Sequence, residues 1–229
     1  MVPATAAGAR SDWRLRRRGV GRVSTAAVLA PQRCILGTSQ QWMVVKNFVT
    51  EAERQTLFSK AIRHLQRKEL HPNPCGPRRF FAKVDDDPNC YVDGLLQTLT
   101  RRCERCLQLT GIEVDCVLGR TISLILPGGF IHAHTDAYRP GEAGHRPGFD
   151  HLRCNIVVSL ADPSGRPVVE GSALPVSECD MWAFFASKCL HETLPLQGSD
   201  PRVVFGFGWS VPPEHVLRPP APAAWDQLS

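Results

Sequence analysis

The segment from Pro127 to Ala137, PGGFIHAHTDA, sets His132, His134 and Asp136 at alternate positions directly after a Pro-Gly-Gly turn. Side chains of a strand alternate between its two faces, so two imidazoles and a carboxylate at this spacing would share one side. That is a donor set for a metal ion. His191 follows the apolar run MWAFFASKCL and is expected at the end of a later strand, where it can bring a second imidazole to His134 and Asp136.

Two histidines and one carboxylate on one face leave coordination positions open, which suits iron(II) and oxygen chemistry. An α-keto acid chelated to such a metal needs a cation for its far carboxylate, and arginine offers a rigid fork of donors for that purpose. Arg202 opens the next apolar run, eleven residues after His191. Its type and place fit the role.

The elements that must position these residues are readable as two helices followed by short strands. WMVVKNF (42–48) reads as a strand, and Thr50 with Glu53 forms a T-x-x-E capping box ahead of Leu57, Phe58, Ala61, Ile62 and Leu65 at helical spacing. HPNPCGPRR (71–79) reads as a loop. A second helix is expected from about Val92 to Leu109, with Gly111 as its cap. Beyond it come RTISLIL, FIHAHTD, LRCNIVVSL, PVVEGSALPV, MWAFFAS and RVVFGFGWSV, apolar runs punctuated by Pro and Gly. The pattern predicts an α+β domain whose strands form a β-sandwich or barrel.

Composition bounds the remaining possibilities. The chain has 229 residues and a net charge of +5, but residues 1–35 hold seven arginines against one acid, Asp12, leaving the rest at −1. A near-neutral folded part argues against a nucleic-acid partner. Nine cysteines without regular spacing read as reduced thiols in an intracellular compartment. Cys103 and Cys106 have C-x-x-C spacing without a second such pair, and are expected to be ordinary helix cysteines. No run reaches the roughly 18 apolar residues of a membrane span. The Arg-, Ala- and Ser-rich segment 1–35 has the composition of a mitochondrial or plastid transit peptide. A solvated basic tail of a cytoplasmic protein and a nuclear signal on Arg14–Arg18 are the alternatives. The expected organisation is therefore this segment, a domain over 36–212, and a Pro-rich tail over 213–229 expected to pack loosely or not at all.

From Pro127 to about Pro212 the chain resembles the iron(II)- and 2-oxoglutarate-dependent dioxygenases, and within them most nearly the aspartyl/asparaginyl β-hydroxylase family. The family's P-G-x-x-I-x-x-H segment is matched by Pro127, Gly128, Ile131 and His134, its L-R strand by LRCNIV, and its F-x-x-x-x-x-H-E segment by Phe185, His191 and Glu192. The resemblance implies a double-stranded β-helix (jelly-roll) core behind N-terminal helices, with iron(II) on His134, Asp136 and His191. It also implies 2-oxoglutarate on Arg202 with help from Arg153 and Asn155, and O2 as cosubstrate. Asp136 stands where those hydroxylases have Gly, the interval from His134 to Asn155 is longer by about ten residues, and ASK (186–188) replaces an acidic pair. His132 is a candidate for a place beside the metal shell or against the substrate, and His145 for one there or in a Gly-rich lid, with an ordinary surface loop as the alternative for His145. The implied reaction is hydroxylation of a C–H bond in a protein or peptide side chain of Asp/Asn type. A free amino acid or other small molecule is the alternative substrate, and a non-catalytic 2-oxoglutarate sensor the alternative of another class.

Overall fold

The computed structural model describes residues 34–37, 40–84, 94–161 and 163–220. The basic segment 1–33, Cys90, Val92 and the end of the tail, 221–229, lie outside the described residues. In chain order the elements are β1 (Cys34–Leu36), β2 (Trp42–Val45), α1 (Glu51–Gln66), β3 (His71–Pro72), β4 (Arg79–Lys83), α2 (Gly94–Cys106), β5 (Arg120–Ile125) and β6 (Ile131–His134). They continue with β7 (Asp150–Ser159), β8 (Pro167–Val169), β9 (Ser172–Ala173), β10 (Met181–Phe185), β11 (His191–Thr193) and β12 (Arg202–Val211).

The helix ends follow from local chemistry. Thr50 Oγ1 accepts from Glu53 N at 3.2 Å while Glu53 Oε2 accepts from Thr50 N at 2.8 Å, the expected capping box. Arg102 of α2 places its guanidinium on the same Glu53, at 3.0 and 2.9 Å, and on Phe48 O, which ties the two helices together. At the other end of α2 the expectation of a Gly111 cap fails. Gln108 takes the left-handed conformation at φ 57° instead, with Leu109 N on Glu104 O and Gln108 N on Arg105 O, a Schellman closure three residues earlier.

The strands form two antiparallel sheets, one in the order β1-β2-β10-β7-β12-β5-β4-β3 and one in the order β6-β11-β8-β9. This is the α+β jelly roll, the double-stranded β-helix. β7 and β12 lie at the centre of the larger sheet with both faces covered; β12 reads as a nearly continuous apolar run, whereas the first half of β7 alternates His151, Arg153 and Asn155 with Leu152, Cys154 and Ile156. On one face Leu152, Cys154 and Ile156 join Phe205, Phe207, Leu57, Ala61, Leu99 and Cys103 in the main core. Full burial of a side chain such as Phe205 contributes about 1.5–3 kcal/mol. Cys103 and Cys106 are both fully buried here, Cys103 Sγ lying 3.3 Å from Cys154 Sγ, and the described cysteines are all free thiols. On the other face β7 turns His151, Arg153 and Asn155 inward, and there the second sheet closes over a cavity.

Three boundaries differ from the sequence expectation. β1 begins at Cys34 and pairs Cys34 with Val45, so the sheet starts two residues before the boundary at 36. The stretch 71–79 is not wholly loop, since His71–Pro72 pairs with β4 and β4 with β5. Between Pro212 and Pro220 the tail is irregular, yet Leu217 is buried in the core. Its apolar side chain stops the first part of the tail from floating free. Among the described residues no helix is long and apolar enough to cross a membrane.

Candidate metal and anion site

β6 and β11 bring the three candidate ligands together. His134 and His191 are direct register partners, and one ligand atom from each of His134, Asp136 and His191 lies within 4.8 Å of the others. His134 Nε2 stands 3.4 Å from Asp136 Oδ1, and His191 Nε2 stands 3.8 Å from Asp136 Oδ2. Each imidazole donates its Nδ1–H to a carbonyl two residues back, His134 to His132 O at 2.7 Å and His191 to Cys189 O at 3.0 Å. That leaves both Nε2 lone pairs aimed at the shared point, the tautomer a metal requires. Asp136 N donates to Ala186 O at 2.8 Å, which fixes the carboxylate next to β10.

The electrostatics agree with such a centre. Burial works to raise the Asp136 carboxyl, but the His134 imidazole beside it and the positive field of Arg153 outweigh it and hold it well below the usual carboxylate range. Desolvation pushes His191 down to about 4, keeping it neutral, whereas the adjacent Asp136 carboxylate raises His134. An anionic carboxylate between two imidazoles is a fit for a divalent cation.

His132 is not brought into this cluster. β6 pairs Ile131 with Thr193 and His134 with His191, three residues against two, so a bulge interrupts the alternation. Ile131 and His134 both line the cavity, while the side chain of His132 is exposed and packs edge-on to Phe130 at 4.8 Å. His132 serves the site through its carbonyl. His145 lies in the segment between β6 and β7 and lines a separate cavity of about 140 Å³ with Tyr138, Arg146, Phe149, His151 and Ser210.

The main cavity, about 260 Å³, runs inward from the three candidate ligands between the two sheets. Arg153, Asn155 and Arg202 all line it, with Trp182, Phe184 and Val204 as apolar wall. Arg202 is buried, donates Nε–H to Gly165 O at 2.7 Å and lays its guanidinium 5.5 Å from the Trp182 ring centre. Burial, with the charge of Arg79 adding to it, lowers its pKa to about 9. Arg153 donates from Nη2 to Thr121 Oγ1 at 2.9 Å, and its buried Nη1 has no partner among the described residues. Space for Arg153 and Asn155 comes from β12: a Cβ on Gly206 would sit 3.0 Å from Arg153 Nη2 and 3.1 Å from Asn155 Oδ1. Buried cations with unused donors and no carboxylate partner among the described residues fit an acidic ligand.

Sequence reasoning did not identify two further features. Arg79 of β4 also lines the cavity, its Nη1 on Asn73 Oδ1 at 3.1 Å. The alternation of Arg79 and Phe81 was the available signal, masked by the Pro-rich stretch before it. Asp115 is the other. It is buried, accepts from Val117 N, Leu118 N and Tyr138 Oη at 2.8, 2.6 and 2.8 Å, and approaches His151 Nδ1 at 3.6 Å. Through Tyr138 it anchors the chain two residues beyond Asp136.

No protein-family model matches the sequence, and no curated protein matches it. Solved structures do match in fold. A prolyl-4-hydroxylase of Pseudomonas putida aligns with TM-score 0.59 and 17% identity over 75% of this chain and 92% of its own. A prolyl hydroxylase of Trichoplax adhaerens, in complex with a hypoxia inducible factor peptide fragment, gives 0.56 and 12% over 76% and 84%. HygX of Streptomyces hygroscopicus, with nickel, 2-oxoglutarate and hygromycin B bound, gives 0.54 and 12% over 77% and 88%. At these identities the likeness is one of fold.

Proposed function

We propose that this chain is an iron(II)- and 2-oxoglutarate-dependent oxygenase that hydroxylates a C–H bond. The observation that carries the reading is the convergence of His134, Asp136 and His191 at the end of a cavity lined by arginines without carboxylate partners among the described residues. His134 and His191 would hold the metal through Nε2 and Asp136 through its carboxylate. Arg202 would take the far carboxylate of 2-oxoglutarate, with Arg153 and Asn155 beside its path. When bound, iron(II) with O2 supplies the oxidative decarboxylation of 2-oxoglutarate to succinate and carbon dioxide that is coupled to substrate hydroxylation. The protein's part is orientation and exclusion of water, for which Trp182, Phe184 and Val204 form the dry wall.

For the substrate we favour a protein or peptide side chain. The motifs around His134 and His191 support the narrower Asp/Asn-type reading, and the peptide bound to the Trichoplax adhaerens enzyme supports the broader one by analogy of fold. The Arg-rich segment 1–35 supports delivery to an organelle, with the domain following it.

The reading is tested by adding 2-oxoglutarate, without oxygen, to iron(II)-loaded protein and recording the visible charge-transfer absorption of a chelated keto acid. Wild type should develop the band and His191→Ala should not. Absence of the band in wild type at saturating iron and 2-oxoglutarate overturns the assignment.

A further inference from the structure

Arg79 carries an inference that rests on the cosubstrate reading above and goes beyond it. Arg79 of β4 pairs with Ile125 of β5, and Ile125 pairs with Arg202 of β12. Register partners on antiparallel strands present their side chains to the same face, and two strand spacings put the two backbones roughly 10 Å apart. Two long guanidinium side chains across that gap can meet on one small anion. Both line the same cavity, and Ser123, one pleat along β5, lies between them with its Oγ 3.4 Å from Arg79 Nε.

The two cations are only partly compensated. Among the described residues neither has a salt bridge to a carboxylate. Cys75 beside Arg79 and, as a more distant charge, Asp136 favour the Arg79 cation without offsetting its burial. Desolvation lowers both guanidinium pKa values, and the charge of Arg79 adds to the lowering at Arg202. Like charges brought together in a buried site are unfavourable unless an anion sits between them. A carboxylate has lone pairs enough to accept from two forks at once.

Arg79 is also part of a hairpin that borders the metal site. Asn73 Oδ1 accepts from both Arg79 Nη1 and Cys75 N, Cys75 O accepts from His132 N at 2.8 Å, and Arg78 O accepts from Leu126 N at 3.0 Å. The guanidinium is thus linked, through one amide oxygen, to the loop that docks on the strand bearing His134.

We infer that Arg79 is the second arm of an arginine clamp on the far carboxylate of 2-oxoglutarate, and that filling the clamp fastens the β3–β4 hairpin against β6. Cosubstrate binding then completes the wall of the site before the substrate arrives.

The test is calorimetric titration of manganese(II)-loaded protein with 2-oxoglutarate and with 2-oxopentanoate, the keto acid of equal length with a methyl in place of the far carboxylate. Arg79→Gln should weaken 2-oxoglutarate roughly 10- to 100-fold, the loss of charge-assisted hydrogen bonds, and leave 2-oxopentanoate unchanged. Arg79→Lys, which keeps charge but not the fork, should fall between the two. In wild type, 2-oxoglutarate should slow hydrogen exchange at the Cys75 and His132 amides, and in Arg79→Gln it should not. The clamp is overturned if Arg79→Gln binds 2-oxoglutarate as wild type does while Arg202→Gln loses it, or if Arg79→Gln weakens both keto acids alike. Failure of wild type itself to bind 2-oxoglutarate would overturn the cosubstrate reading and the clamp with it.

Discussion

Asp115 offers a test of the architecture that depends on no cofactor. Its carboxylate is the common acceptor for Val117 N, Leu118 N and Tyr138 Oη, and it lies within reach of His151 and Ser210. Asp115→Ala strands these donors beneath the segment that follows Asp136. An unsatisfied buried donor costs about 1–3 kcal/mol, and because the backbone donors here are only partly buried and can regain water, the sum should be about 3 kcal/mol. For a domain of this size that corresponds to a drop of roughly 6–12 °C in Tm. The sign of the pH dependence follows from the same contacts. Burial works to raise the Asp115 carboxyl, but the His151 imidazole close by and the hydrogen bonds from the Leu118 amide and Tyr138 outweigh it and leave the folded pKa below the unfolded one. Its stabilisation is therefore complete above an unfolded value of about 4 and is lost as pH falls below it. Urea unfolding of wild type, Asp115→Ala and Asp115→Asn between neutral and acid pH measures both effects. Asp115→Asn, which keeps an acceptor oxygen, should cost less and flatten the acid limb. An Asp115→Ala protein within about 0.5 kcal/mol of wild type at neutral pH would refute the proposed anchoring, since that is the scatter expected of a neutral surface change.

Other perturbations probe the floor and the edges of the site. Gly206→Ala places a Cβ 2.7 Å from Thr121 Oγ1 and 3.0 Å from Arg153 Nη2, so it should cost roughly 1–3 kcal/mol in urea unfolding and weaken 2-oxoglutarate binding by displacing Arg153. Arg202→Ala removes one of the two guanidinium forks on the buried carboxylate, a loss of roughly 1.5–3 kcal/mol, and should raise the Kd for 2-oxoglutarate roughly 10- to 100-fold in calorimetry while metal affinity stays near normal. A chain beginning at residue 33 keeps β1 and should melt as the full chain does. One beginning at Gln41 lacks β1, bares the edge of β2 and should melt lower.

Features governed by neighbours in sequence were legible before the fold was known. The Thr50–Glu53 capping box needs only three residues of spacing, the apolar runs of β10 and β12 announce strands by themselves, and β5 and the first half of β7 do so by alternating polar with apolar residues. The spacing of His134 and Asp136, and the position of His191 after an apolar run, pointed to residues that the fold gathers in one place. Features that depend on pairing were not legible. β4 exists as a strand because β5 supplies its partner, so Arg79 stayed hidden in what reads as a loop. The bulge opposite β11 turns His132 outward, and a bulge is a property of two strands, invisible in either alone. The facing of Gly206 with Asn155 and of Gly208 with Arg153 likewise belongs to the β7–β12 register.

The measurement that bears most directly on the account is succinate formation from 2-oxoglutarate in the presence of oxygen, followed with and without iron(II) for wild type, His134→Ala and His191→Ala. The account predicts iron-dependent succinate formation by wild type and none by either variant, with both variants retaining a cooperative melt. Succinate formation by wild type without iron(II), or at an equal rate in the two folded variants, would contradict it.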